Sequence, residues 1–311
     1  MRMRTGFGLA AVASCMAIAA AVTVGRDGGG SPPRLAPPKG PYVALGDSYT
    51  AGPEIPGQYG RPVGCERSDR NYPALVAAGL GLRAAGFRDV SCSGAVMADL
   101  SAPQSTDHGV NPAQLSALTT ATRLVTLGIG GNDIGFGSLI TTCVRSGVKY
   151  QLEKRIGDGT ADRAPCRGRY VSDGTDEVEG KTEAAGGGLA GALDDIRRRA
   201  PGARIYVVGY PAILPAEGTD CTAMGLAPGD VDFLREKERQ LNAVLRDKAR
   251  AAGAGYVDTY APSTGRDACA DPDVRWVEPL VPAAPAAPAH PNERGERGMA
   301  DAVLRTVGAA D

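Results

Sequence analysis

With 311 residues, 43% of them hydrophobic and 22% charged, the chain can bury a full core, and one large α/β domain is the default expectation. A formal net charge of −1 leaves no basic surplus, which argues against nucleic acid or an anionic membrane surface as the main partner. The densest basic run, Arg197-Arg198-Arg199 after Asp194-Asp195, reads as a solvated helix terminus, where cations suit the dipole.

Arg2 and Arg4 precede an alanine-rich apolar run from Phe7 to Val24, the charge-then-hydrophobic order of an export signal. The expected organisation is a signal peptide over 1–25, a flexible Gly-, Pro- and Arg-rich leader over 26–40, and the folded domain over 41–311. Cleaved secretion is the first reading. Two alternatives stay open: an uncleaved membrane anchor, because the run is long enough to span a bilayer, and a lipoprotein, because Val12-Ala13-Ser14-Cys15 resembles a lipidation box.

The first element of the domain is PYVALGDSYTAG, residues 41–52. Tyr42 to Leu45 reads as a buried strand, Gly46-Asp47 as a turn, and Ser48 as the residue at the strand's carboxyl end, opening a helix. Open α/β sheets place their ligands at that edge, although a serine there can also be a simple cap. Tyr72 to Leu82 reads as a helix and Phe87 to Ser91 as a second strand. Asn111-Pro112 starts a brief helix ending near Leu118, and RLVTL, residues 123–127, is a third strand buried on both faces. Residues 147–186 are charged and Gly-rich with weak periodicity, so they read as a long surface excursion, with a lid as the alternative. A helix resumes over Ala184 to Arg199. RIYVVG, residues 204–209, is a fourth strand, Pro228 to Ala251 a long helix, and Tyr256-Val257-Asp258 a fifth strand. Strands separated by helices imply parallel pairing and a three-layer α/β/α sandwich. The run PAAPAAPAHP, residues 282–291, is stiff and extended, and from Pro291 the residues Met299, Val303, Leu304 and Val307 recur at helical spacing. His290 therefore stands at the start of the last helix.

Seven cysteines become six once Cys15 is set aside, an even number that implies disulfides in an exported chain. Six cysteines allow 15 pairings. Their order suggests Cys65–Cys92, Cys143–Cys166 and Cys221–Cys269, each closing a local loop and each worth about 3 kcal/mol. A zinc site fits poorly, because the chain has no C-x-x-C pair and neither of its two histidines, His108 and His290, stands at ligand spacing from a cysteine.

The third strand runs into Gly128-Ile129-Gly130-Gly131-Asn132-Asp133. As a dinucleotide loop it fails, because G-x-G-x-x-G breaks at Asp133. As part of a hydrolase it works: glycines let the backbone approach a ligand, and Asn132 can aim an amide N–H at a developing oxyanion. Ser91-Cys92-Ser93-Gly94, after the second strand, offers a backbone N–H at a matching edge, though Gly94 alone can be a turn glycine.

Ser48, Gly94, Asn132 and His290 fall in the chain order and local contexts of the SGNH hydrolases, the GDSL family of esterases and lipases. The chain resembles in particular the secreted, disulfide-bonded bacterial members. The resemblance rests on VALGDSYTAG, CSGA, LGIGGNDIGF, VVGYPAILP and HPNERGERGMADAV, and runs from about Tyr42 to Val307. It implies Ser48 as nucleophile, His290 as its base, and an oxyanion hole of the Ser48 N–H, the Gly94 N–H and the Asn132 side chain. It also implies a five-stranded parallel sheet of order 2-1-3-4-5 and agrees with the sequential cysteine pairing, Cys65–Cys92 bracing the loop that presents Gly94.

The chain departs from the family twice. Tyr49 replaces the leucine of the family name, as secreted members commonly have it. Ala287 stands where many relatives carry an aspartate to orient the histidine. Some members of the subgroup use a backbone carbonyl instead, so the expectation is a Ser48–His290 dyad with the Ala287 C=O as orienter. The resemblance implies a secreted, monomeric carboxylic-ester hydrolase working through an acyl-enzyme on small-molecule or lipid esters, without metal, organic cofactor or obligate protein partner. With 5% aromatics and one tryptophan, Trp276, the sequence shows no lipid-anchoring belt, which tilts toward short or medium acyl chains. The alternatives are a carbohydrate O-acetyl esterase or acyltransferase on the same scaffold, and a non-enzymatic cell-surface binding module that needs neither Ser48 nor His290.

Overall fold

A computed structural model describes residues 40–157, 161–219 and 221–308. The expected signal segment, and all but the last residue of the leader, lie outside the described residues. Five parallel strands form the central sheet: β1 (Tyr42–Gly46), β2 (Phe87–Asp89), β3 (Leu124–Gly128), β4 (Arg204–Val208) and β5 (Gly255–Val257). They lie side by side as β5-β4-β3-β1-β2, the expected order 2-1-3-4-5, with β1 pairing residue for residue with β3 from Tyr42↔Leu124 to Gly46↔Gly128.

Because successive strand residues point to opposite faces, each strand feeds two cores. Val43, Leu45, Val125, Leu127, Ile205 and Val207 pack with Leu189, Leu193 and Ile196 of helix α4 (Glu177–Arg199) and Leu241 and Leu245 of helix α5 (Pro228–Ala251). Tyr42, Ala44, Leu124, Val208 and Val257 pack with Tyr72 and Val76 of α2 (Tyr72–Gly79) and Met299, Val303 and Val307 of α7 (Glu293–Val307). Burial on both faces explains why β1, β3 and β4 carry near-continuous apolar runs.

The excursion expected over 147–186 is corrected. Helix α3 spans Phe136–Ile156 and α4 starts at Glu177, and the described residues between them hold a 3₁₀ turn at Arg167–Arg169 and a small antiparallel pair of Val171–Ser172 and Thr175–Asp176. Helix α3 escapes the periodicity test because its apolar residues lie on both sides: Leu139, Ile140 and Tyr150 are buried while Val148, Leu152 and Ile156 are exposed. Glycines dilute the start of α4, but the Asp176 carboxylate caps it by accepting the N–H groups of Val178 and Glu179. The brief helix expected before Leu118 is a 3₁₀ turn at Gln114–Ala117.

The cysteine sulfurs pair as Cys65–Cys92, Cys143–Cys166 and Cys221–Cys269, with Cα atoms 4.1, 4.9 and 5.3 Å apart. Among the described residues no helix is long and apolar enough to cross a membrane.

Candidate active site

Four loops meet at the carboxyl edge of the sheet. The first leaves β1 at Gly46, where a Cβ would run into the Thr50 hydroxyl and the Gly128 carbonyl, so only glycine lets β1 and β3 close together at this corner. Asp47 follows and caps the one-turn helix α1 (Ser48–Ala51), its Oδ1 accepting the Tyr49 N–H at 2.9 Å. Its Oδ2 accepts the Tyr210 hydroxyl proton at 2.5 Å, and the same hydroxyl accepts the Gly131 N–H at 2.8 Å. Tyr210, just past β4, therefore fastens the Ser48 corner to the glycine-rich exit of β3. Burial pushes the Asp47 carboxyl up to about 7 although these hydrogen bonds pull the other way.

The second loop carries Gly94 at φ +76°, a left-handed backbone that favours glycine. The Cys65–Cys92 bridge lies beneath it, and the Ser93 N–H donates to the Cys65 carbonyl at 3.1 Å. The third loop carries Asn132. One amide hydrogen of its Nδ2 goes to the Ala95 carbonyl at 2.9 Å, which leaves the other hydrogen for a ligand, and the Asp133 carboxylate accepts the Met97 N–H at 3.0 Å. The two candidate oxyanion donors are thus held by one another's loops.

The fourth loop carries His290. Its Nε2 lies 2.8 Å from Ser48 Oγ, and its Nδ1 lies 2.8 Å from the Pro288 carbonyl. A carbonyl can only accept, so Nδ1 carries the proton and Nε2 is free to accept from the serine. This corrects the orienter expected at Ala287. Ala289 sits at φ +59°, and the turn this makes spends the Ala287 carbonyl on the His290 N–H at 3.1 Å while leaving the Pro288 carbonyl to the ring. The turn is pinned on several sides: Tyr49 donates its hydroxyl to the Ala289 carbonyl, the Ala289 N–H donates to the Glu278 carbonyl, and the Glu278 N–H donates to the His290 carbonyl. Tyr49 also lays its ring 4.8 Å from the imidazole. Burial lowers the His290 pKa below its usual 6.5, outweighing the Pro288 hydrogen bond that raises it.

Glu278, almost fully buried, supports the loop through its side chain. Oε1 accepts from Asn292 at 2.7 Å, and Oε2 accepts the N–H groups of Ala283 and Ala284 at 2.9 and 3.3 Å. It does not touch the imidazole. Asp271 and Asp273 are exposed, and His108 lies in an exposed turn.

Ser48, Asn132 and His290 line a cavity of about 340 Å³, walled by Phe136, Ile140, Ile213, Leu241 and Leu280. Sequence reasoning missed Glu238 here. It stands in the apolar stripe Leu234, Glu238, Leu241, Leu245 of α5, and an acid in such a stripe is the signal that marks it. Its Oε1 accepts the Ile213 N–H at 2.8 Å, its Oε2 has no partner, and burial pushes its pKa well above the usual carboxylate range. The wall therefore carries an acid whose charged form burial disfavours. Among the described residues no group of three or more His, Cys, Asp or Glu is arranged to hold a metal ion.

The profile of the GDSL-like lipase/acylhydrolase family matches residues 44–297. Lipase 2 of Streptomyces coelicolor (strain ATCC BAA-471 / A3(2) / M145) is 41% identical over 252 residues, covering 80% of this chain and 79% of that one. The crystal structure of phospholipase A1 from Streptomyces albidoflavus NA297 superposes with a TM-score of 0.68 at 29% identity, over 86% of this chain and 99% of that one. The extracellular lipase of Streptomyces rimosus gives a TM-score of 0.68 at 27% identity, over 86% and 100%. Matched along most of its length in sequence and in structure, the chain belongs to the GDSL-like lipase/acylhydrolase family.

Proposed function

We propose that this carboxylic-ester hydrolase is exported and cleaves fatty-acyl esters through an acyl-enzyme formed on Ser48. The observation that carries the reading is the 2.8 Å contact between Ser48 Oγ and His290 Nε2 at the mouth of an apolar cavity. Ser48 Oγ attacks the ester carbonyl carbon as its proton passes to Nε2. The charge that develops on the carbonyl oxygen is met by the Ser48 and Gly94 N–H groups and the free hydrogen of Asn132 Nδ2. His290, its charge faced by the Pro288 carbonyl, returns the proton to the leaving alcohol, and water then releases the acid by the reverse sequence. A cavity of about 340 Å³ with apolar walls takes the acyl chain. Three cysteine pairs and the extracellular Streptomyces rimosus lipase among its structural relatives support export.

The test is a panel of p-nitrophenyl esters of increasing chain length with wild type and Ser48→Ala. Wild type turns over the medium chains best, and Ser48→Ala keeps its thermal stability while losing nearly all turnover. An organophosphate labels Ser48. Label on another serine overturns the assignment, and activity confined to acetyl esters moves the enzyme toward carbohydrate deacetylation.

A further inference from the structure

Helix α3 has two kinds of outer surface. Its first turns line the catalytic cavity through Phe136, Gly137, Ile140 and Thr141, and a shallow polar groove continues from Asn132 past Ser138 and Thr141 to Arg145. Thr141, Arg145, Val148, Leu152 and Ile156 stand at i, i+4, i+7, i+11 and i+15, which is one face of the helix over about 22 Å of its length. Beyond Arg145 that face becomes apolar and open to solvent, with Val148 64%, Leu152 57% and Ile156 77% exposed. The core is served by the opposite face, through Leu139, Cys143, Ser146 and Tyr150, so burial within this domain does not account for the exposed row.

Cations border the row. Between residues 145 and 156 the helix carries Arg145, Lys149, Lys154 and Arg155 against a single acid, Glu153, which pairs with Lys149 at 3.6 Å. At 100° per residue, Lys149 and Arg155 fall on either flank of the row. A second wall of the cavity ends the same way: Leu280 lines it, and the next residue, Val281, is 82% exposed.

We propose that the Val148–Leu152–Ile156 face of α3 docks on an anionic phospholipid surface, which brings the mouth of the catalytic cavity to that surface. An apolar ridge with cationic flanks is the composition that lies in a lipid headgroup layer, the apolar side chains entering the acyl boundary and the cations meeting phosphate. The overall charge balance, which argues against such a partner, averages over this local cluster. The proposal rests on the ester-hydrolase reading and gives its substrate a physical form, an aggregated lipid rather than a dissolved ester.

Sedimentation with vesicles of ether-linked phosphatidylglycerol and phosphatidylcholine, which hold no carboxylic ester to cleave, measures docking apart from hydrolysis. Wild type binds these vesicles more tightly than vesicles of ether-linked phosphatidylcholine alone. The double variant Leu152→Asp, Ile156→Asp binds them at least about tenfold more weakly while keeping its thermal midpoint and its turnover of a soluble short-chain ester. Undiminished binding by the variant, or equal binding to the neutral vesicles, overturns the proposal. So does a wild-type dimer that the variant breaks, since the ridge then serves a second copy.

Discussion

Replacing Glu278 by Gln separates an acid that orients His290 from one that holds its loop. The carboxylate accepts three hydrogen bonds on its two oxygens, from Asn292 on one side and from the Ala283 and Ala284 N–H groups on the other. An amide has one oxygen to offer, so whichever way it turns, its NH₂ faces a donor. The substitution also removes the charge beside buried Arg275, whose Nη1 lies 3.9 Å from Glu278. Losing a charge-assisted hydrogen bond and leaving that guanidinium without its partner costs about 2–4 kcal/mol, a drop of roughly 5–15 °C in thermal midpoint. The imidazole, however, keeps its Pro288 carbonyl. Turnover by the folded fraction should fall by less than about tenfold, against about 10⁴-fold for a lost triad acid. Asp271→Asn and Asp273→Asn, both at exposed positions, should change neither quantity. Thermal unfolding and kcat above pH 7 check the series. A collapse in kcat with an unchanged midpoint, in any of the three, refutes the dyad and names the acid.

Because burial lowers the His290 pKa, the acid limb of kcat/KM against pH should have its midpoint below 6.5. Asp47 is pushed up to about 7, so the profile is repeated with Asp47→Asn; a limb at or above 7 in both proteins contradicts the assignment. Glu296, buried between α2 and α7, accepts the Tyr72 N–H on Oε2 and has no partner on Oε1, and burial raises its pKa well above the usual value. The stability linked to a raised carboxyl is full below the unfolded pKa of about 4.3 and is lost as pH rises through the folded value. The thermal midpoint of Glu296→Gln should therefore gain on wild type between about pH 5 and pH 8. The opposite slope would show the carboxyl ionised in the fold.

Strands β1, β3 and β4 were legible because each carries a near-continuous apolar run, whereas β2, Phe87-Arg88-Asp89, carries none, and the strand order followed from the family resemblance. Ser48 and His290 could be singled out because each stands at the boundary of a regular element. The rest was hidden for separate reasons. Helix α3 fails a one-stripe test because its outer face is apolar too. Glu278 leaves no motif, since two of its three partners are backbone N–H groups, which any residue supplies. The Pro288 carbonyl depends on the positive φ of Ala289, a conformation an alanine rarely adopts and that spacing arguments do not reveal.

Ser48 and His290 are separated by 242 positions, and the brace from Tyr49 to Ala289 spans 240. The pair therefore closes almost the largest loop this domain can form. Such a contact carries a high closure entropy and cannot form before the intervening sheet and the α2–α7 layer have brought the two ends together. Under the proposed assignment, hydrolysis is a reading of completed folding: a nascent chain that has not yet released its last helix holds Ser48 without His290 beside it. In a denaturant titration, activity should vanish with, and never after, the loss of the sheet.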